Sequence, residues 1–192
     1  MTTDQPTDHG TTAVPRTYLA ALADGGGTVP PELGAVRRLV ERGHRVTVLG
    51  EDSFEADARA TGATFRRWEA GPNRPDRLPA NDPLRDWEVR SPMRLFDRLI
   101  DVQLVGPAAA IAADVAAAIA VERPDAILSS QFTIGAMAAA EAAGIPFAVL
   151  MPNIYTAPAE GLPPLGAGFQ PARGSLGRLR DRAVSALTGR AW

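Results

Sequence analysis

The sequence predicts an α/β protein built on a doubly wound parallel sheet with helices on both faces. Three observations predict it. From Thr17 onward, strand-like runs alternate with helix-like runs. Glycine or proline stands at nearly every junction between them. The first strand–helix–strand run also has the length of a βαβ unit, whose crossover is right-handed and whose strands are parallel.

The elements follow in order. Residues 17–23 form a first strand, followed by the turn Asp24-Gly25-Gly26-Gly27-Thr28. A helix begins near Pro31, because proline fits a first helical turn whose N–H has no intrahelical partner. Its apolar residues Leu33, Val36, Leu39 and Val40 share one face, Arg37, Arg38, Glu41 and Arg42 the other, and Gly43 stops it. Residues 45–49, with Val46, Thr47 and Val48, have the β-branched content of a second strand. A polar helix over 53–61 and a third strand over 63–68 come next. The stretch 69–91, with prolines at 72, 75, 79 and 83, reads as a loop of unusual length, functional or disordered. Helices over 92–105 and 107–121 follow, the second with Ile111, Val115 and Ile119 every four residues and alanines that permit close approach to the sheet. A fourth strand at 126–129, a helix over 133–143, a fifth strand at 147–151, a Pro/Gly-rich loop over 152–174 and an amphipathic helix with Leu176, Leu179, Ala183 and Leu187 on one side complete the chain.

At 192 residues, 45% hydrophobic and 22% charged, the composition is that of a soluble globular domain. Residues 1–16 lack the apolar stretch of a secretory signal and read as a disordered tail before one domain at 17–192. The apolar run near 107–121 is short for a membrane span, and the expected location is cytoplasmic. A net charge of −2 provides no field for nucleic acid or an anionic membrane. All 20 basic residues are arginine, which excludes a Schiff-base or phosphate-loop lysine. With no cysteine and only His9 and His44, neither a thiolate nor a His-rich metal site is expected. No metal and no covalently bound cofactor is therefore expected.

In such a sheet, ligands bind at the carboxyl ends of the strands beside helix N-termini. Three segments meet there: Asp24 to Thr28, Ser129-Ser130-Gln131-Phe132-Thr133, and Met151-Pro152-Asn153-Ile154-Tyr155. Gly25, Gly26 and Gly27 allow a tight turn and close approach of a ligand, or simply a βα turn. Asp24 is the carboxylate beside that turn, either a general base for a hydroxyl or a turn cap. Ser129 and Ser130 orient a hydroxylated ligand or cap the next helix. Glu51 and Asp52 read as solvated acids at a helix start, rather than as ribose ligands. His44 reads as packed or solvated. Arg74, Arg77, Arg85 and Arg90, interleaved with Asp76, Asp82, Asp86 and Glu88, read as a solvated loop.

Three stretches carry a family resemblance. They are Gly26-Gly27-Thr28-Val29-Pro30-Pro31-Glu32-Leu33 running on through Gly43-His44-Arg45-Val46-Thr47-Val48-Leu49, then Pro124-Asp125-Ala126-Ile127-Leu128-Ser129-Ser130, and Ala140-Glu141-Ala142-Ala143-Gly144-Ile145-Pro146. In this order they resemble the N-terminal domain of GT-B glycosyltransferases of the macrolide and antibiotic type, related in fold to plant UDP-glycosyltransferases. The resemblance covers about residues 17–190 and implies a Rossmann-like domain, one half of a GT-B fold, that binds the acceptor. It also implies a C-terminal domain, absent here, that binds the nucleotide-sugar donor. Inverting transfer of a hexose or deoxysugar to a hydroxylated small molecule, with no required metal, follows as the expected activity in natural product biosynthesis.

The sequence departs from that family at two positions. Thr28 stands where members commonly place a catalytic His, three residues before the proline, and Ser129-Ser130-Gln131 where many place the Asp that orients it. Either Asp24 substitutes as base, or a residue outside this chain does, or the protein is not catalytic. Gly25, Gly26, Gly27, Trp87, Ser129, Ser130, Gln131, Phe132 and Asn153 are the expected acceptor-binding residues, beside Asp24 and Thr28. Trp68, Trp87, Met93 and Phe96 either offer apolar surface to an acceptor or pack in the core and loops, the reading favoured for Phe96. The chain itself reads as a fragment or one half of a split enzyme, inactive in isolation. Two rivals remain open. One is a non-catalytic partner that binds or stabilises another glycosyltransferase chain, signalled by an apolar exposed face at Leu176, Leu179 and Leu187; the other is a small nucleotide-binding oxidoreductase, which Pro30-Pro31 after the glycine turn disfavours.

Overall fold

The computed structural model describes residues 14–153, 162 and 169–188. Residues 1–13, most of the expected tail, and Ile154 and Tyr155 of the third ligand segment lie outside them, as do the side chains of Met93 and Leu187. The chain divides into two compact units, residues 1–152 and 153–192.

The first unit is the expected parallel sheet. Its strands are β1 (Thr17–Ala21), β2 (Arg45–Gly50), β3 (Thr64–Arg67), β4 (Ala126–Ser130) and β5 (Phe147–Leu150), in the spatial order β3-β2-β1-β4-β5 with every pair parallel. The order reverses between β1 and β4, which is the crevice where doubly wound sheets hold ligands. In register, Ala21 pairs with Leu49 on one side and Ser129 on the other. The carboxyl ends of three strands thus lie level.

Two cores flank the sheet. On one face α1 (Val29–Glu41), α2 (Glu55–Arg59) and the short turn ending at Phe54 just before α2 bury Val29, Leu33, Val36, Ala58 and Phe54 against Ala20, Leu22, Val46 and Val48. On the other, α4 (Ala108–Glu122) and α5 (Ile134–Ala142) bury Ile111, Val115, Ala136 and Ala140 against Leu19, Ala21 and Ile127. Each of the buried Val, Leu, Ile and Phe side chains among these is worth about 1.5–3 kcal/mol relative to exposure.

Helix starts and lengths differ from expectation in physical ways. α1 begins at Val29 with Thr28 before it, so both prolines fall in the first turn. The expected helix at 53–61 shrinks to a 3₁₀ turn at Asp52–Phe54 and the short α2. The helix expected at 92–105 is α3 (Pro92–Leu99) continued as a π-helical turn at Ile100–Leu104, a geometry that often marks functional sites. By length and composition, residues Arg94–Glu122 would suffice to cross a membrane, but the stretch is broken at 105–107, and Ile111, Val115 and Ala118 are packed in the core.

The loop at 69–91 is held at its root. Backbone N–H groups of Glu69, Ala70 and Gly71 all donate to the Asp114 carboxylate on α4, at 2.9–3.1 Å. Within the second unit, α6 (Gly174–Thr188) carries Arg180, whose guanidinium lies 4.3 Å over the Phe169 ring and donates to the Gln170 carbonyl.

The alanine content of α4 serves mainly its contact with α5. A β-carbon on Gly135 of α5 would collide with the Ala108 carbonyl at the start of α4. Gly135→Ala is therefore expected to destabilise the fold by about 1–3 kcal/mol, as overpacking of a close backbone contact does, although alanine favours helix. Urea denaturation of the variant beside wild type measures it.

Candidate ligand cavity

β1, β2 and β3 each release a cavity-lining residue at the same end of the sheet. After β1 the chain passes through Ala23, Asp24 and Gly25; after β2 comes Glu51; after β3 comes Trp68. These residues, with Asn73, Arg74, Pro83, Val102, Gln103 and Phe132, line a cavity beneath the 69–91 loop. It is partly open to solvent, and its volume is about 90 Å³. That is below the few hundred Å³ of a complete small-molecule site, so the cavity accommodates one ring and leaves the remainder of a larger molecule at the mouth.

Asp24 is fully committed. Its Oδ1 accepts the Gly26 N–H at 3.0 Å, and its Oδ2 accepts the Ser53 hydroxyl at 2.8 Å and Arg77 Nε–H at 3.1 Å. The side chain has no solvent exposure. The Gly26 bond closes the turn cap offered by the sequence, and Gly26 itself takes φ +74°, a conformation that favours glycine. Arg77 also reaches Asp57 at 3.3 Å, and Arg74 lies 3.6 Å from Asp82. The arginines of the long loop are therefore not merely solvated: Arg77 ties the loop to the end of β1, and Arg74 faces the cavity with a buried, unpartnered Nε.

Glu51 overturns the reading of a solvated acid. It is buried, and its Oε1 accepts the Asp24 backbone N–H at 2.9 Å. Burial is the main cause that pushes its carboxyl from 4.5 up to about 7; the Asp24 charge adds to the rise, while the Asp24 N–H and the Arg74 charge oppose it. Asp52, by contrast, faces solvent and bonds to Asn73.

The other expected residues are dispersed. Gly25 and Phe132 line the cavity. Ser129 and Ser130 are wholly buried; Ser129 shares a 2.8 Å hydrogen bond with Thr133, whose hydroxyl donates onward to carbonyl oxygens of Ala21 or Ser130. Those bonds knit β1 to the β4–α5 turn, and neither serine caps α5, whose first residue follows Thr133. Gln131 is held through its backbone to Leu150, outside the cavity lining. Trp87 is 56% exposed and also outside that lining. Thr28 is buried without capping α1. Asn153 begins the second unit. His44, as expected, is packed: its Nδ1 accepts the Arg16 N–H, and its ring meets Tyr18 edge-on.

Sequence reasoning missed Glu51, Arg74 and Gln103 as cavity residues, and missed the burial of Glu32 in α1. Position immediately after a strand was the available signal for Glu51. Gln103 depends on the π-helical turn, which the sequence does not mark.

Residues 26–191 match the family described as Glycosyl transferase 4-like domain. The chain belongs to that family. A relative in this sense is the 4'-demethylrebeccamycin synthase of Lentzea aerocolonigenes, 27% identical over 177 residues, which are 90% of this chain and 41% of that protein. Among solved structures, CalG4, the calicheamicin glycosyltransferase, is similar with a TM-score of 0.55 and 26% identity over 70% of this chain and 32% of its own. The glycotransferase of kitacinnamycin shares the fold, with a TM-score of 0.53 and 24% identity over 70% and 30%. The chain spans less than half the length of each. The resemblance to antibiotic glycosyltransferases and the Rossmann-like α/β fold expected from the sequence are thus borne out.

In this glycosyltransferase-family chain, Glu51 gives the fold a pH dependence of definite sign. Because the folded state holds the Glu51 proton more tightly than the unfolded state, its stabilisation is complete below about pH 4.5 and is lost as pH rises through about 7. Glu51→Gln removes that loss. Comparing urea stability at pH 5 and pH 8, the variant is expected to fall by about 2–3 kcal/mol less than wild type.

Proposed function

We propose that this chain is the acceptor-binding half of an inverting, antibiotic-type glycosyltransferase, with the cavity beneath the 69–91 loop as the head of the acceptor site. The donor nucleotide-sugar is taken by a second half of the GT-B fold, on this polypeptide or another. The protein acts in the cytoplasm and needs no metal for transfer. The observation that carries the reading is the cavity itself, which places an aromatic wall of Trp68 and Phe132 beside a buried carboxyl at the carboxyl ends of β1 and β2.

The proton step follows from the two carboxyls. Asp24, first expected as the base, has its oxygens occupied by Gly26, Ser53 and Arg77, so in this reading it positions the turn and the loop. Glu51 takes the base role, since its carboxyl titrates near the working pH, where a general base is most effective. The acceptor O–H gives its proton to Glu51 as its oxygen bonds to the anomeric carbon. The nucleotide leaves from the opposite face, and the configuration inverts.

A second reading, a binding partner of another glycosyltransferase chain, is favoured by one observation. Leu176 and Leu179 on α6 are 81% and 63% exposed, as that reading expects of an interaction face.

Trp68 provides the test. In a Trp87→Phe, Trp192→Phe chain it is the remaining tryptophan, and it lines the cavity. Hydroxylated aromatic and macrolide acceptors are expected to change its emission saturably, while UDP-glucose and dTDP-glucose leave it unchanged. A saturable response to the nucleotide-sugars alone would overturn the assignment. In a form of the protein that also carries the donor half, Glu51→Gln is expected to lower kcat at least 100-fold with little change in acceptor KM.

A further inference from the structure

Two arginines of the 69–91 loop face inward, and the fold uses them differently. Arg77 serves the fold: its Nε–H donates to Asp24 at 3.1 Å, and its Nη1 lies 3.3 Å from Asp57. Arg74 lines the cavity with a side chain only 11% exposed. Its Nε is buried and has no hydrogen-bond partner among the described residues. Asp82, the carboxylate paired with it, stands 3.6 Å from Nη2, beyond hydrogen-bond reach.

The Arg74 side chain is not what holds the loop in place. The backbone at this position is clamped to the end of β2: the Arg74 carbonyl accepts the Ser53 N–H at 2.9 Å, and the Arg74 N–H points to the Glu51 carboxyl. Any residue but proline would make both bonds. The same clamp fixes the point from which the guanidinium extends. A buried donor left unpaired costs stability, and more so on a charged group, so buried cations are ordinarily paired or completed by a ligand.

The surrounding charges leave room for one more anion. Of the carboxyls that line the cavity, Asp24 is held by Arg77, and burial keeps Glu51 largely protonated below about pH 7. Asp82 and Asp76 also act on Arg74, but neither lines the cavity. Much of the remaining lining, Trp68, Pro72, Pro83, Val102 and Phe132, is flat or apolar surface suited to a ring. A ring that carries a carboxylate supplies what is missing. The guanidinium is planar, and its Nε and Nη2 hydrogens form a fork that matches the two oxygens of a carboxylate. A carboxamide of the same shape offers one uncharged acceptor in place of two charged ones.

We propose that Arg74 makes this cavity select a ligand whose ring carries a carboxylate, which binds the Nε edge of the guanidinium and displaces Asp82 from it. The proposal rests on the acceptor reading of the cavity and adds the charge class of that acceptor, an anionic hydroxyarene.

The test compares benzoate with benzamide, which keeps the ring and the planar group and loses the charge. Both are titrated at about pH 6, where benzoate is ionised, into the 192-residue chain, and binding is read by NMR at the indole N–H of Trp68 in the cavity wall. Wild type is expected to bind benzoate at least about tenfold more tightly than benzamide. Arg74→Gln brings that ratio close to one and leaves the benzamide affinity unchanged. Asp82→Asn acts in the other direction: with the competing carboxylate gone, benzoate binds about threefold more tightly than to wild type, and benzamide as before. Equal binding of the two probes to wild type, a preference that survives Arg74→Gln, or no gain for benzoate in Asp82→Asn overturns the charge assignment and leaves the cavity reading standing. Loss of affinity for both probes in both variants also overturns it, because the pair would then serve the fold. If Arg74→Gln does not fold, the Asp82→Asn result decides alone. Binding of neither probe at Trp68 of wild type removes the cavity reading and the charge assignment together.

Discussion

A single carboxylate without solvent exposure, that of Asp24, joins three of the segments around the cavity. It closes the glycine turn after β1 through Gly26, fixes the start of the 3₁₀ turn after β2 through Ser53, and draws down the 69–91 loop through Arg77. The Asp24 backbone N–H adds a fourth link, to Glu51. A carboxylate in this position satisfies donors that would otherwise be stranded, which is worth more than its pairwise attraction to a half-exposed arginine. The sheet supplies level strand ends, but Asp24 determines how the chain leaves them.

Around that anchor the fold places its cost where ligand chemistry would lie. Glu51, Glu32 and Thr28 are buried polar groups on the carboxyl side of the sheet, and the two carboxyls are shifted upward by burial. Ser129 pairs with Thr133, and Thr133 with Ala21 or Ser130. Those bonds make Ser129 a knot of the β4–α5 turn.

Much of the fold was legible because its signals are local. Alternating strand and helix periodicity, Gly43 after α1 and Pro-Pro in its first turn need only neighbouring residues to act, and every strand lies within a few residues of its expected place. The site was less legible because its determinants are remote in sequence. Arg77 meets Asp24 across 53 positions, and Asp114 holds the loop root from more than 40 positions away. Nothing in the run of arginines from 74 to 90 distinguishes the two that face inward. Likewise Glu32 sits in a first helical turn, where an acid is ordinary on the surface, and only the packing of α1 against the sheet buries it.

The central claim is that Asp24 holds the cavity together and does so without being needed for the sheet. Amide hydrogen exchange on wild type and on Asp24→Ala tests it most directly. The account predicts at least tenfold faster exchange at Gly25, Gly26, Ser53, Arg74 and residues 76–78, with protection of residues 19–21, 46–49 and 127–129 retained. Unchanged exchange in the loop and turn, or an equal loss of protection throughout the sheet, would contradict it.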